Sequence, residues 1–322
     1  MTALRFSFAV TVCVLPSWAF AQGDLGFLLS PQPDQGAIEL KHDIHAFGTE
    51  DIEGTGESLG LTEYELGLRV PVWHAAGQTL FAGVKVYGLD LDTEGLLAPG
   101  IALPSDLYDV SIGLGYLRKL ERGWTVAGTL RLGSASDELF DSSDEVYLQG
   151  TGLLSMPDGR NAWILAVHTD TRHDWPVYPG FGYQWQFERG RYLVLGLPFL
   201  AAGGGITEHL SFEASYFPID QVRAALRYEA AERITPYLAF TWDSHYFSRA
   251  DRAADDDRLE FEDKRVAAGV VFDIGEHVQL DVEAGYAFDR WFGEAEDRDE
   301  RQDDSVDLHD AAFIGGALRV RF

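Results

Sequence analysis

Cysteine is the first absence: Cys13 is the only one in 322 residues. It falls in the apolar run Phe6 to Leu15 (FSFAVTVCVL), so the rest of the chain can build no disulfide, cysteine zinc site or cysteine nucleophile. Long apolar runs are missing too. FSFAVTVCVL is itself shorter than the roughly 20 residues a helix needs to cross a bilayer, and no later run is long enough either. Positive charge is scarce, with 25 Lys and Arg against 52 Asp and Glu and a net charge of -27. Such a chain repels phosphate backbones, which disfavours nucleic acid as a partner. Nucleophile elbow, zinc motif and phosphate loop are also lacking: AAGGGI at Ala201 to Ile206 has no lysine and no following helix. ADDD at Ala254 to Asp257 and DRDERQDD at Asp297 to Asp304 lack the glycine-turned spacing of a calcium loop.

The N-terminus has a pattern of its own. Arg5, the apolar run and the small-x-small triplet Ala19-Phe20-Ala21 read as a signal peptide over 1–21, with the mature chain starting near Gln22. Loss of Arg5 leaves 24 basic against 52 acidic residues, a charge of -28. Residues 22–35, with Pro31 and Pro33, read as a periplasmic leader or partial plug. Residues 36–322 read as a single domain.

What the chain has is glycine, aromatics and a period of two. There are 34 Gly, 20 Phe, 13 Tyr and 8 Trp. Val278, Leu280, Val282, Ala284, Tyr286 and Phe288 share one strand face, while Gln279, Asp281, Glu283, Gly285 and Asp289 share the other. The same dyad runs through Tyr64 to Val72, Tyr108 to Tyr116, Val146 to Met156 and Val222 to Tyr228. A soluble sandwich also alternates. Here, however, many segments reach the roughly 9–11 residues a tilted strand needs to cross hydrocarbon, and Tyr or Trp sits near the ends of the apolar faces. Tyr64, Tyr108, Tyr116, Trp124, Tyr228 and Trp242 are examples.

Fourteen strands are expected, near 36–47, 61–73, 79–90, 106–120, 124–135, 144–157, 161–171, 178–188, 209–218, 221–232, 235–247, 264–275, 277–292 and 305–322. A short hairpin in Tyr192 to Ile206, broken at Pro198, would make sixteen. Short turns alternate with long polar loops at about 48–60, 91–105, 136–143, 172–177, 248–263 and 293–304. The fold class is therefore all-β: a transmembrane antiparallel up-and-down barrel of 14 or 16 strands, with short periplasmic turns and long acidic outer loops.

Charge separates by end. Acids crowd the loops, as in Glu50 to Glu57, Asp137 to Glu145, Asp251 to Asp263 and Glu294 to Asp304, while Arg118, Arg122, Arg160, Arg189, Arg233, Arg319 and Arg321 gather at the turns. An anionic rim favours cations over anions within about 8–10 Å at moderate salt. It also suits divalent cations shared with the headgroups of outer-membrane lipids and lipopolysaccharide. The inward parity selects a lumen of both signs: Glu63, Glu65, Arg69, Lys85, Asp109, Arg131, Glu213, Arg223, Arg227, Glu229, Asp281, Glu283, Arg319 and Arg321. Opposed charges either line a small water-filled pore or close it with ion pairs, and the bulky inward candidates Phe81, Tyr87, Tyr147 and Trp163 could occlude it.

Histidines are the candidates for metal or catalytic groups. His42 and His45 in KHDIH take opposite faces of a strand, so they cannot share a metal. His168, Asp170, His173 and Asp174 in HTDTRHD meet at an outer strand end and read as a polar end running into a loop. No catalytic residue, cofactor or metal site is expected, and hydrolase activity is the least favoured reading.

The stretch GFGYQWQFERGRYLVLGLPFL (Gly180 to Leu200), with LSFEASYFP (Leu210 to Pro218), PYLAFTWDSHYF (Pro236 to Phe247) and the terminal Phe322, resembles uncharacterised bacterial outer-membrane β-barrel proteins of the domain-of-unknown-function type. The resemblance implies a Gram-negative outer-membrane location and porin-like transport, and supplies no catalytic residues. GGALRVRF at Gly315 to Phe322 then reads as the closing strand. Arg319 and Arg321 would face Glu39, Lys41 and Asp43 of the first strand, with Glu39 in pairing range. Phe322 is similar to the terminal aromatic that the outer-membrane assembly machinery reads. Two functions follow as expectations: a passive channel for small, cationic solutes, or a non-conducting structural or surface-interaction barrel.

Overall fold

A computed structural model describes residues 37–322 apart from 55, 76, 94, 98–100, 174, 218–220, 253, 255–256 and 296–304. The expected signal peptide and the whole of the expected leader lie outside the described residues. Sixteen antiparallel strands form one closed wall: β1 (Glu39–Phe47), β2 (Ser58–Ala75), β3 (Gln78–Thr93), β4 (Asp106–Lys119), β5 (Thr125–Ser136), β6 (Val146–Asp158), β7 (Asn161–Asp170), β8 (Val177–Gln186), β9 (Tyr192–Leu197), β10 (Leu200–Gly205), β11 (Leu210–Phe217), β12 (Gln221–Tyr228), β13 (Ile234–Phe247), β14 (Arg258–Ile274), β15 (Val278–Ala295) and β16 (Ala311–Arg321). Each pairs with its neighbour in sequence, and β16 returns to β1 with Glu39 opposite Arg321 and Phe47 opposite Phe313. Closure leaves no edge strand along the seam.

The hairpin in Tyr192 to Ile206 is real, so the count is sixteen and not fourteen. One boundary moves markedly. The expected loop 248–263 ends early, because Arg258 to Asp263 belong to β14, Arg258 to Glu262 pairing with β15 from Ala295 to Trp291. A bulge between Glu262 and Lys264 resets the register there, and Asp289 opposite it takes a left-handed φ of 50°. The extra residue lies on β15, where the buried positions pass from Ala287 to Arg290; β14 keeps its alternation without a break, which makes Asp263 an inward, buried acid instead of a loop acid.

Alternation sends apolar side chains outward around the wall. Ile44, Leu68, Ile112, Leu130, Leu165, Leu238, Val282 and Ile314 are exposed, Ile314 at 68%. A continuous apolar belt of this kind is untenable in water and is what a bilayer requires, and only a closed sheet satisfies its own backbone there. Trp163 belongs to this outer surface, contrary to its expected inward role. It packs edge-on against Tyr183 at 4.6 Å, and Tyr183 against Trp185 at 4.8 Å, forming an aromatic ladder near the turn end. An even number of strands, short turns at one end and an apolar exterior define a bacterial outer-membrane barrel.

Candidate functional site: the lumen

The strands differ greatly in length, and the lumen inherits that asymmetry. β2, β3, β14 and β15 have 16–18 residues, far beyond what the hydrocarbon requires. Their outer ends therefore behave as a soluble β-protein would. Leu61, Leu89, Leu107, Leu259, Phe261 and Phe292 point inward and are fully buried, with Phe261 stacked on Phe292 at 4.7 Å. Ile52, Leu97 and Leu308 from the loops complete this dry core.

The core is tied across the barrel. Ser248, just past β13, donates its backbone N–H to the Ala135 carbonyl of β5 at 2.8 Å. Tyr87 of β3 stacks on His245 of β13 at 4.3 Å, with the planes 12° apart. The outer end of β13 thus leans onto β3–β5, and the lumen is pinched into two lobes.

Below the apolar core, the β14–β2 lobe is held by charge. Arg265 of β14 reaches Glu63 of β2 at 2.6 Å and Asp263 at 2.7 Å, with its guanidinium 5.0 Å from the Phe47 ring. His45 meets Glu283 at 2.8 Å, and the Tyr237 hydroxyl donates to Glu283 at 2.7 Å and to Asp281 at 3.0 Å. Glu65 accepts both Lys41 and Lys85 at 3.0 Å, and Lys41 also contacts Asp43. Toward the turn end, Glu39 gathers three arginines: Arg69 at 3.0 Å, Arg319 at 3.3 Å and Arg321 at 3.6 Å. The expected pairing of Glu39 with the last strand is present, with Arg69 added.

The opposite wall carries its own chain of contacts. Arg131 donates to Ser111 at 2.6 Å, Gln149 at 3.0 Å and Tyr147 at 3.1 Å, and the Tyr147 hydroxyl donates to Asp109 at 2.6 Å. Arg223 pairs with Asp243 at 3.0 Å and Arg227 with Glu213 at 3.1 Å. Phe81, Tyr87 and Tyr147 do point inward and are buried. Glu229 is the exception among the proposed lumen residues: β12 ends at Tyr228, and Glu229 is exposed in the following turn.

HTDTRHD contributes more than a polar end, through a residue that its histidines overshadow. Arg172 grips Asp170 at 2.7 Å and lies over the Tyr147 ring at 4.1 Å, so the loop after β7 is anchored inside the lumen. His168 contacts Thr151 at 2.8 Å, while Asp170 is occupied by Arg172 and by Gln149 at 2.9 Å. His42 faces out and His45 in, as their spacing requires. The residues missed from sequence are Arg265, Asp243, Tyr237, His245 and Arg172. Arg265 shares the inward parity of Ala267, Gly269 and Val271, so alternation along β14 was the signal that could have found it. The others had no signal beyond parity.

Between the lobes lies a cavity of about 400 Å³. Lys41, Glu65, Lys85, Asp109 and Glu283 give it a charged side; Leu153, Ile164, Ala166, Val194, Ala201 and Ala225 give it a small or apolar one. Among these small and apolar positions the β6–β12 wall also presents Gln149, Thr151, His168, Glu213, Arg223 and Arg227 to the cavity.

No family profile and no curated relative matches this chain. Among solved structures it is similar in outline to an outer membrane channel from Pseudomonas putida F1, with a TM-score of 0.42 and 12% identity over 90% of this chain and 97% of that one. The Pseudomonas putida toluene transporter TodX gives 0.42 and 11% over 93% of each chain. The translocator domain of the autotransporter NalP from Neisseria meningitidis gives 0.36 and 11%, over 98% and 100%. Similarity of this degree is to barrel outline and carries no function across.

Proposed function

We propose that the protein is a passive outer-membrane channel for small solutes, its path running through the central cavity between the β14–β2 ion pairs and the β6–β12 wall. The observation that carries this reading is the cavity of about 400 Å³ beside a lobe that is packed shut. Sixteen strands enclose more space than their own side chains fill, and here the surplus is a central cavity below the dry outer core, bounded by side chains from both lobes. Cation preference belongs to the acidic loops, because the lumen pairs its acids with bases and presents no single sign. Purified protein in planar bilayers is expected to give small discrete conductance steps, with a reversal potential on the cation side of neutral in a salt gradient.

The tie between Ser248 and Ala135 and the dry core beneath the outer loops favour a second reading, a non-conducting barrel whose acidic loops meet lipopolysaccharide through divalent cations. Absence of steps at every voltage decides for it. In either reading Phe322, 72% exposed beyond β16, serves the assembly machinery. Its deletion is then expected to lower the fraction of folded barrel in the outer membrane.

A further inference from the structure

A second space lies among the outer loops. It has about 570 Å³ and is lined by the single turn Ser143–Glu145, by Thr171 after β7, and by Ser248 and Arg258 at the ends of β13 and β14. Ser143, Asp144 and Thr171 are exposed, so this crevice reaches the surface. Hydroxyl and charged groups edge it, unlike the dry core beside it.

Its position follows from how the outer strand ends are tied. Ser248 donates to Ala135 and bridges to Ser136 in parallel, and the Ala250 N–H donates to Asp137 at 2.8 Å. Backbone bonds thus seal the end of β13 against β5, and Leu89, Leu107, Leu259 and Phe261 fill the barrel on that side. Toward β6 and the loop after β7, side chains do the closing. His173 packs edge-on against Tyr246 at 5.9 Å, and Arg258 reaches the Asp144 carbonyl at 3.5 Å.

The crevice meets the central cavity at three side chains, because Arg172, Tyr246 and Phe247 line both spaces. Two of them are built in. Phe247 is buried and stacks with Tyr87, and the Tyr246 hydroxyl donates to Glu260 at 2.6 Å. Arg172 stands on a loop. Its Nε and Nη2 donate to Asp170 at 3.0 and 2.7 Å, its guanidinium lies over the Tyr147 ring, and Nη1 has Asp109 at 3.8 Å. Tyr147 borders the crevice and Asp109 the cavity, so one guanidinium faces both. Among the described residues, Asp109, Asp170, Asp144 and Glu145 stand here around two bases, Arg172 and Arg258. Arg172 is the one that offsets Asp109 and Asp170, and opposite charges this close act strongly away from bulk water.

We infer that small polar solutes enter from outside by this crevice, and that Arg172 is the specificity-determining residue at its foot. By offsetting Asp109 and Asp170 it keeps the throat open to neutral and anionic solutes as well as cations. The inference rests on the reading of the lumen as a passage and names the way in and the class of solute. A polar solute exchanges water for hydroxyls and charged groups along this route, whereas the dry core offers it no partner.

The test places a thiol in the cavity wall with Thr129→Cys and follows its reaction with small cationic and anionic methanethiosulfonates by mass spectrometry. The barrel sits in sealed vesicles with its loops outward, an orientation read from labelling of Ser143→Cys, and heat-modifiable gel mobility confirms that each variant is folded. Reagents added outside are expected to reach Thr129→Cys. A polyethylene glycol maleimide on Ser143→Cys, too large to enter, is expected to slow that reaction several-fold, whereas the same group on Ser58→Cys, exposed at the outer end of β2, leaves it unchanged. Arg172→Gln is expected to raise the ratio of cationic to anionic rates several-fold in about 0.1 M salt and far less in about 1 M. Arg172→Lys, which keeps the charge, should hold the ratio near that of the parent. No reaction from outside, or a rate indifferent to the group on Ser143→Cys, overturns the entrance; a ratio unmoved by Arg172→Gln overturns the role of Arg172. Bilayer conductance of the same preparations separates the two proposals: steps indifferent to the group on Ser143→Cys keep the channel and remove this entrance, and labelling without steps keeps the entrance and removes the through-path.

Discussion

At the scale of single residues, Arg265 is the most consequential side chain in the lumen. It reaches from β14 to Glu63 of β2 and holds Asp263 on its own strand, while Phe47 covers the guanidinium. Removing one partner of a buried ion pair leaves the other charge unpaired, which costs about 3–5 kcal/mol. Arg265→Met is therefore expected to lower stability by about that amount, measured as the urea midpoint of folding into lipid vesicles. Arg265→Met combined with Glu63→Gln should recover part of the loss, because one stranded carboxylate has been removed. A single-variant loss under about 1 kcal/mol, the range of exposed pairs, would show this layer to be fully hydrated. Alternation in DKRVAAG puts Arg265 on the face of Ala267 and Gly269 and Lys264 on the other, but nothing in it announces which acids Arg265 meets.

At the scale of elements, the seam between β1 and β16 is the sharpest prediction. Leu40 is opposite Val320, and a slip of one residue would send Arg319 and Arg321 into lipid. The only cysteine, Cys13, lies outside the barrel strands, so Leu40→Cys with Val320→Cys can be read cleanly. The pair is expected to crosslink on oxidation and to keep the barrel compact in hot detergent, whereas Leu40→Cys with Leu318→Cys should crosslink poorly. Equal crosslinking by both pairs would contradict the register. Existence of the strands was legible because period two is a local property of extended backbone. Their true lengths were less so: Arg258 to Asp263 are as acidic as the loop before them, and only pairing with β15 makes them strand.

At the scale of the whole molecule, acids of the outer loops and bases of the turns give the barrel an axial charge gradient. If that gradient sets ion preference, replacing Asp137, Glu138, Asp141 and Asp144 with their amides should shift the reversal potential toward zero in about 0.1 M salt. In about 1 M salt, where screening acts within about 3 Å, variant and wild type should coincide. A shift of equal size at both salt concentrations would place the selectivity in the lumen.

The sequence by itself determined that this chain is a barrel, most of the side chains on each face and how the last strand meets the first, while Trp163 and Glu229 lie outside the lumen and Arg265 and Asp243 join it. The first three follow from alternation, a property each strand carries without reference to any other. Only the tertiary structure decided which inward charges meet and that the outer half of one lobe is a dry core. Those depend on strand number, relative length and the pinch between β3 and β13, which bring Arg265 to Glu63 and Tyr87 to His245 across the lumen. Contacts across a barrel join residues far apart in sequence, and no periodicity encodes them.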